Sequence, residues 1–170
     1  MWSHIAAAAT IAFAAFAPIA VAQEATGTWT CQNVGPNGQT EQLGDRKGHS
    51  LSVEPYSCRI DGGPMSGGIV TGTDLWEYDG LKAVRISSSG VVRKPGSVAA
   101  WGSGGTGILS LIVTDGKVTG WTASGTGKLV LATGDWAPLA GQSDTWTAKP
   151  AATPGQFLVE EKFATKSATR

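Results

Sequence analysis

Apolar and polar positions alternate over short runs in this chain, and after one long apolar run at the start no helical stripe develops. Short alternating runs punctuated by Gly, Asn, Asp and Pro predict half-buried strands joined by tight turns. The first run, Thr26 to Gln32 (TGTWTCQ), is rich in the Thr and Trp that suit a pleated surface. NVGPNG follows as turn chemistry, with Asn37-Gly38 as a hairpin dipeptide. GDRKGHS is a second polar turn, opening into a strand over Leu51 to Ile60. Pro55 cannot donate to a ladder, so that strand is expected at an edge or with a bulge. Further strands are expected over Ile69–Tyr78, Val91–Trp101, Lys128–Ala132, Ser143–Ala148 and Phe157–Phe163, with KPAATPGQ as a linker before the last.

Two Asp-Gly dipeptides predict hairpin registers. A two-residue turn at Asp79-Gly80 sets Glu77 opposite Lys82, Trp76 opposite Ala83 and Asp74 opposite Arg85, so two opposite-charge pairs face each other. Asp74, Trp76, Tyr78, Ala83 and Arg85 then share one face, and Leu75, Glu77, Lys82, Val84 and Ile86 share the other. A turn at Asp115-Gly116 sets Val113 opposite Val118, Leu111 opposite Gly120 and Ser110 opposite Trp121. It places Leu109, Leu111, Val113 and Val118 on a core face. The total is about eight strands, which predicts an all-β, eight-stranded antiparallel barrel, with a β-sandwich as the alternative. Closure into a barrel removes exposed sheet edges.

The apolar start, residues 1–22, ends on Ala20-Val21-Ala22 before polar Gln23-Glu24, the pattern of a cleaved signal peptide. Its apolar run is shorter than the roughly 20 residues of a span, and Pro18 interrupts it, so no stable membrane span is expected after cleavage. The chain is therefore expected to be exported, periplasmic or secreted. Residues 23–163 form the barrel domain and residues 164–170 a disordered polar tail. In an oxidising compartment Cys31 and Cys58 are expected to form a disulfide, the alternative being two buried thiols on neighbouring strands.

Charge and composition narrow the chemistry. The 13 basic residues match the 13 acidic ones and are scattered, which gives no electrostatic footprint for nucleic acid. With no CxxC, and with His49 the one histidine beyond the leader, no metal site is expected, and nothing calls for a cofactor. SGTGK lacks the spacing of a phosphate loop and reads as a structural turn. No GxSxG elbow is present.

GDRKGHS with the extended segment after it, and SGTGKLVLATGDW near the C-terminal end, resemble the allene oxide cyclase-like barrel family. That superfamily includes the plant allene oxide cyclases, the dirigent proteins and many exported bacterial members without assigned roles. The resemblance implies an eight-stranded antiparallel barrel with an apolar cavity, often assembled as a homotrimer. In the cyclases a buried carboxylate and a water act on a lipid epoxide; no position of this chain is matched to that carboxylate.

The candidates for chemistry are Glu77, Asp74, Arg85, Tyr56 and His49, with Glu54 beside them. If the aromatic face of the first hairpin lines the barrel, Asp74 and Arg85 are a buried pair able to orient a ligand carbonyl or hydroxyl. If it faces out, they are a surface bridge of at most about 1 kcal/mol. His49 is either a general base or a residue that fixes its turn. Trp76, Tyr78 and Trp101 are the candidates for ligand contact. Trp29, Trp121 and Trp146 read as packing residues, and Trp101 and Trp136 as a cavity rim. The leading expectation is an exported barrel that binds a small hydrophobic or aromatic ligand in its interior. One alternative is a cofactor-independent cyclase, isomerase or lyase working through a buried carboxylate or Tyr. The other is a non-catalytic envelope protein whose barrel is filled by its own side chains.

Overall fold

The computed structural model describes residues 25–35, 39–102 and 104–163. The expected signal peptide, the Asn37-Gly38 dipeptide and the C-terminal tail lie outside the described residues. Ten strands follow in order: β1 (Ala25–Asn33), β2 (Gln39–Gln42), β3 (His49–Gly62), β4 (Ile69–Asp79), β5 (Lys82–Lys94), β6 (Ser97–Trp101), β7 (Gly107–Thr114), β8 (Lys117–Ala132), β9 (Ser143–Pro150) and β10 (Gln156–Phe163). A 3-10 helix, Gly134–Leu139, follows β8.

All pairings are antiparallel, and they close. β1 pairs with both β10 and β3, and the circuit runs on through β4, β5, β8 and β9. Two short strands, β6 and β7, share one position, bridging the two halves of β5 to the two halves of β8. The wall is therefore eight strands around. β2 extends the β1 position along β3, pairing with Ser50–Val53 while β1 pairs with Tyr56–Gly62. Pro55 falls in the gap between β1 and β2, so its missing N–H costs no ladder bond, and its carbonyl accepts from the Val34 N–H. The strand it interrupts is neither an edge nor bulged there.

Several expected segments fall differently. Val91 belongs to the end of β5, and a turn at Pro95-Gly96 separates it from β6, with Lys94 opposite Ser97. SGTGK is no turn: it lies within the 16-residue β8, and Gly125 and Gly127 face inward. The first hairpin turns at Gly80-Leu81, which sets Asp79 opposite Lys82, Tyr78 opposite Ala83 and Trp76 opposite Arg85. Asp79 stays in the ladder because Arg46 holds its carboxylate at 3.0 Å, and the Gly80 N–H donates to the Gly48 carbonyl. Neither expected charge pair is directly opposite: Glu77 faces Val84, and Asp74 faces Ser88. The slip is by two residues from the turn to Trp76 and by three beyond the bulge there, whose extra residue takes up the odd step, so the expected faces survive, whereas an uncompensated slip of one would have exchanged them. In the second hairpin Val113 does face Val118, but a bulge sets Leu111 opposite Trp121 and Ser110 opposite Thr122. Leu109 is buried, whereas Val113 and Val118 beyond the bulge are exposed.

The interior is layered. At one end Trp136, carried by the 3-10 helix, packs with Ile60, Met65, Val92, Leu129 and Phe163 as a solid plug. At the other, Trp76, Ala83, Leu109 and Ala123 form a second apolar cluster. Cys31 and Cys58 face each other across β1 and β3 and are bonded.

Candidate functional site

Polar side chains collect on the inner wall around the junction of these clusters. Strict alternation carries them there. On β10, Phe157, Val159, Glu161 and Phe163 share the inner face, and on β9, Asp144, Trp146 and Ala148 do so. On β5 the bulge next to Trp76 reverses the alternation, so that Arg85 and Ser88, three apart, both line the interior. Together with Tyr56 and Asp74 they surround a cavity of about 90 Å3, walled by Trp29, Trp76, Trp101, Trp146 and Phe157. A second space of about 200 Å3 shares Tyr56, Asp74, Trp76 and Phe157 as walls and is bounded further on by Glu54, Tyr78 and Trp121.

Glycines make the room. A Cβ on Gly72 would overlap the Tyr56 ring, so only glycine lets that ring lie against the wall. A Cβ on Gly127 would stand 2.6 Å from the Asp144 carboxylate, and one on Gly125 would stand 2.7 Å from the Trp146 ring.

The electrostatics are those of buried acids. Burial and the neighbouring Asp144 carboxyl push Glu161, which is 2% exposed, well above the usual carboxylate range. Burial raises Asp144 and Asp74 as well, opposed at Asp144 by Glu161 and at Asp74 by the Ser88 hydroxyl and the Arg85 charge. Two acids that face each other with raised affinities share protons as a pair. Burial likewise raises the Tyr56 and Tyr78 hydroxyls, and Tyr78 donates to Glu54 at 3.0 Å. Arg85 makes no ion pair with these acids. Its Nη2 donates to the Thr106 and Thr126 carbonyls at 3.0 and 2.8 Å, closing the wall between β6 and β7, and its guanidinium lies 4.7 Å from the Trp146 ring centre.

Among the described residues, eight buried side-chain polar atoms have no hydrogen-bond partner in the protein. Six of them belong to side chains that line this one cavity: Trp29 Nε1, Asp74 Oδ1, Arg85 Nε, Asp144 Oδ1, Trp146 Nε1 and Glu161 Oε2. An unsatisfied buried polar group costs roughly 1–3 kcal/mol, so their concentration in one place marks a site rather than a core. No group of three or more His, Cys, Asp or Glu side chains among the described residues converges as a metal site.

The expected site residues divide. Asp74, Arg85, Tyr56, Trp76 and Trp101 line the cavity, and Tyr78 lines the neighbouring space. The surface-bridge reading of Asp74 and Arg85 is overturned, because their shared face points inward and the bulge offsets them. Glu77 and His49 lie outside the cavity. The His49 ring is held between Asp45 at 2.5 Å and Glu77 at 2.8 Å, and these two hydrogen bonds raise its pKa above the ordinary 6.5. Trp136 is fully buried in the plug and is no rim residue. Trp29 and Trp146, expected to be packing residues, line the cavity. Asp144 and Glu161 were not among the expected residues. Their signal was a carboxylate in register with an apolar strand face, beside Trp146 on β9 and between Val159 and Phe163 on β10.

Comparison with family models, curated proteins and solved structures finds no match to this chain.

Proposed function

We propose that the protein is an exported barrel that binds a small molecule in its interior. The observation that carries this reading is the set of six side chains, each with an unpartnered polar atom, around one aromatic-walled cavity. A barrel filled only by its own side chains has no reason to keep them, since matched apolar packing is commonly as stable or more so. Aromatic walls with a few aimed polar groups are the usual form of a ligand site. The occupant has a compact body to lie against the tryptophans and polar groups to meet the six atoms. Export is supported by the Cys31–Cys58 disulfide, which persists in oxidising compartments. The allene oxide cyclase-like resemblance supports kinship with that family, and with it a homotrimer.

A second reading, an isomerase, cyclase or lyase, is favoured by one specific feature. Burial and the Asp144 carboxyl raise Glu161 well above the usual carboxylate range, and Asp144 beside it is placed to exchange a proton with it.

Native mass spectrometry of the protein isolated from the culture medium or periplasm, without unfolding, tests the binding reading. The expected spectrum shows a mature chain starting at Gln23, with a bound mass lost on denaturation. Apo mass alone, together with no small molecule in a fragment screen shifting the indole resonances of Trp29, Trp101 or Trp146, refutes it. Turnover of an identified ligand, abolished by Glu161→Gln, would establish the enzymatic reading.

A further inference from the structure

We infer that the ligand of this cavity is a small neutral polyol with a ring body, of monosaccharide size. The inference rests on the binding reading and narrows its chemistry.

The six unpartnered atoms are balanced. Three are donors, Trp29 Nε1, Arg85 Nε and Trp146 Nε1, and three are carboxyl oxygens, Asp74 Oδ1, Asp144 Oδ1 and Glu161 Oε2, which accept unless they carry the acid's proton. A ligand with only donors, such as an ammonium, leaves the indoles and the guanidinium unmet. An anion leaves every unprotonated carboxyl oxygen unmet and is repelled by it. A hydroxyl both donates and accepts, so several hydroxyls on one framework satisfy both halves of the set.

Charge points the same way. The titratable groups facing the space are Tyr56 from β3, Asp74 from β4, Arg85 from β5, Asp144 from β9 and Glu161 from β10. The raised proton affinity of the acids works against a net negative charge in this interior, and Arg85 stands against a cation entering beside it. The walls supply what a ring needs, since indole faces take the C–H surface of a ring, and Trp29 and Trp101 meet at 5.3 Å as adjoining panels.

Size sets the pose. The first space alone is smaller than the roughly 150 Å3 that admits a benzene ring. A ring therefore extends past Tyr56 and Trp76 toward the second space, of about 200 Å3.

The test is an NMR titration of the full mature protein with ring-matched probes: D-xylose and myo-inositol, then cyclohexanol, cyclohexylammonium and cyclohexanecarboxylate. The indole N–H resonances of Trp29 and Trp146 are followed. The expected result is saturable shifts with one of the polyols, at least about tenfold tighter than with any comparator. Trp146→Phe, which removes one donor but keeps a ring, is expected to weaken the polyol about tenfold, the size of one hydrogen bond. Tighter binding of the alcohol, the amine or the carboxylate overturns the polyol inference and leaves the binding reading standing. No shift with any probe overturns the polyol inference, and the binding reading is then decided by the mass spectrum and fragment screen.

Discussion

Replacing Glu161 by Gln is the sharpest probe of the interior. The carboxyl is 2% exposed, it faces Asp144, and its Oε2 has no partner. Gln keeps the shape and cannot ionise. A carboxyl whose folded pKa lies above its unfolded value gives stability that is complete below about pH 4.3 and is lost as pH rises toward the folded value. The wild type should therefore lose stability relative to Glu161→Gln by about 1.4 kcal/mol per pH unit from about pH 4.3 upward, levelling off once Glu161 ionises in the folded state. Asp45 and Asp61 are lowered by their hydrogen bonds and work in the opposite sense, losing stability as pH falls, but both chains share them and they cancel. The assay is guanidinium unfolding from pH 4 to 8 of protein refolded free of ligand with its disulfide intact, comparing midpoints at constant m. The two acids titrate together, so Asp144→Asn should flatten the same gap. Parallel curves for wild type and Glu161→Gln would refute a proton-holding interior.

Two further outcomes follow from the cross-link and the outer cluster. Reducing the disulfide, or replacing both cysteines by Ser, frees a loop with a sequence separation of 27, and should lower unfolding stability by about 3–4 kcal/mol. An unchanged denaturation midpoint under reductant, with thiols confirmed, would contradict that. The His49 ring should titrate above 6.5 by NMR, with Glu77→Gln bringing the midpoint down, because Glu77 is the main partner of its charged form. The stability it contributes is full below about pH 6.5 and is lost as pH rises through the folded midpoint. A midpoint at or below 6.5 in the wild type would show the Asp45–His49–Glu77 contacts to be absent in solution.

Local rules decided much of this protein. Alternation with period two is set residue by residue, so it placed Asp74, Trp76, Tyr78, Ala83 and Arg85 on one face even though the hairpin register was wrong by two residues, and by three beyond the bulge. The absence of helical periodicity and the density of turn residues were enough for an all-β barrel, and the cysteine pairing followed from an even pair of cysteines in a chain read as exported. What alternation cannot supply is which face is inside and what stands across the barrel. The inner position of Asp74 and Arg85 depends on closure between β1 and β3. The bulge that brings Ser88 beside them answers to pairing with β4, and the turn at Gly80 answers to contacts with Arg46 and Gly48. Asp144 and Glu161 belong to strands far along the chain from β4 and β5, and each alone reads as an ordinary charged residue. Only the closed wall brings them into one dry space, where desolvation raises their affinity for protons and one oxygen of each is left without a partner. The stretch from Gly44 to Gly80 supplies one side of that space, and the tertiary structure supplies the other.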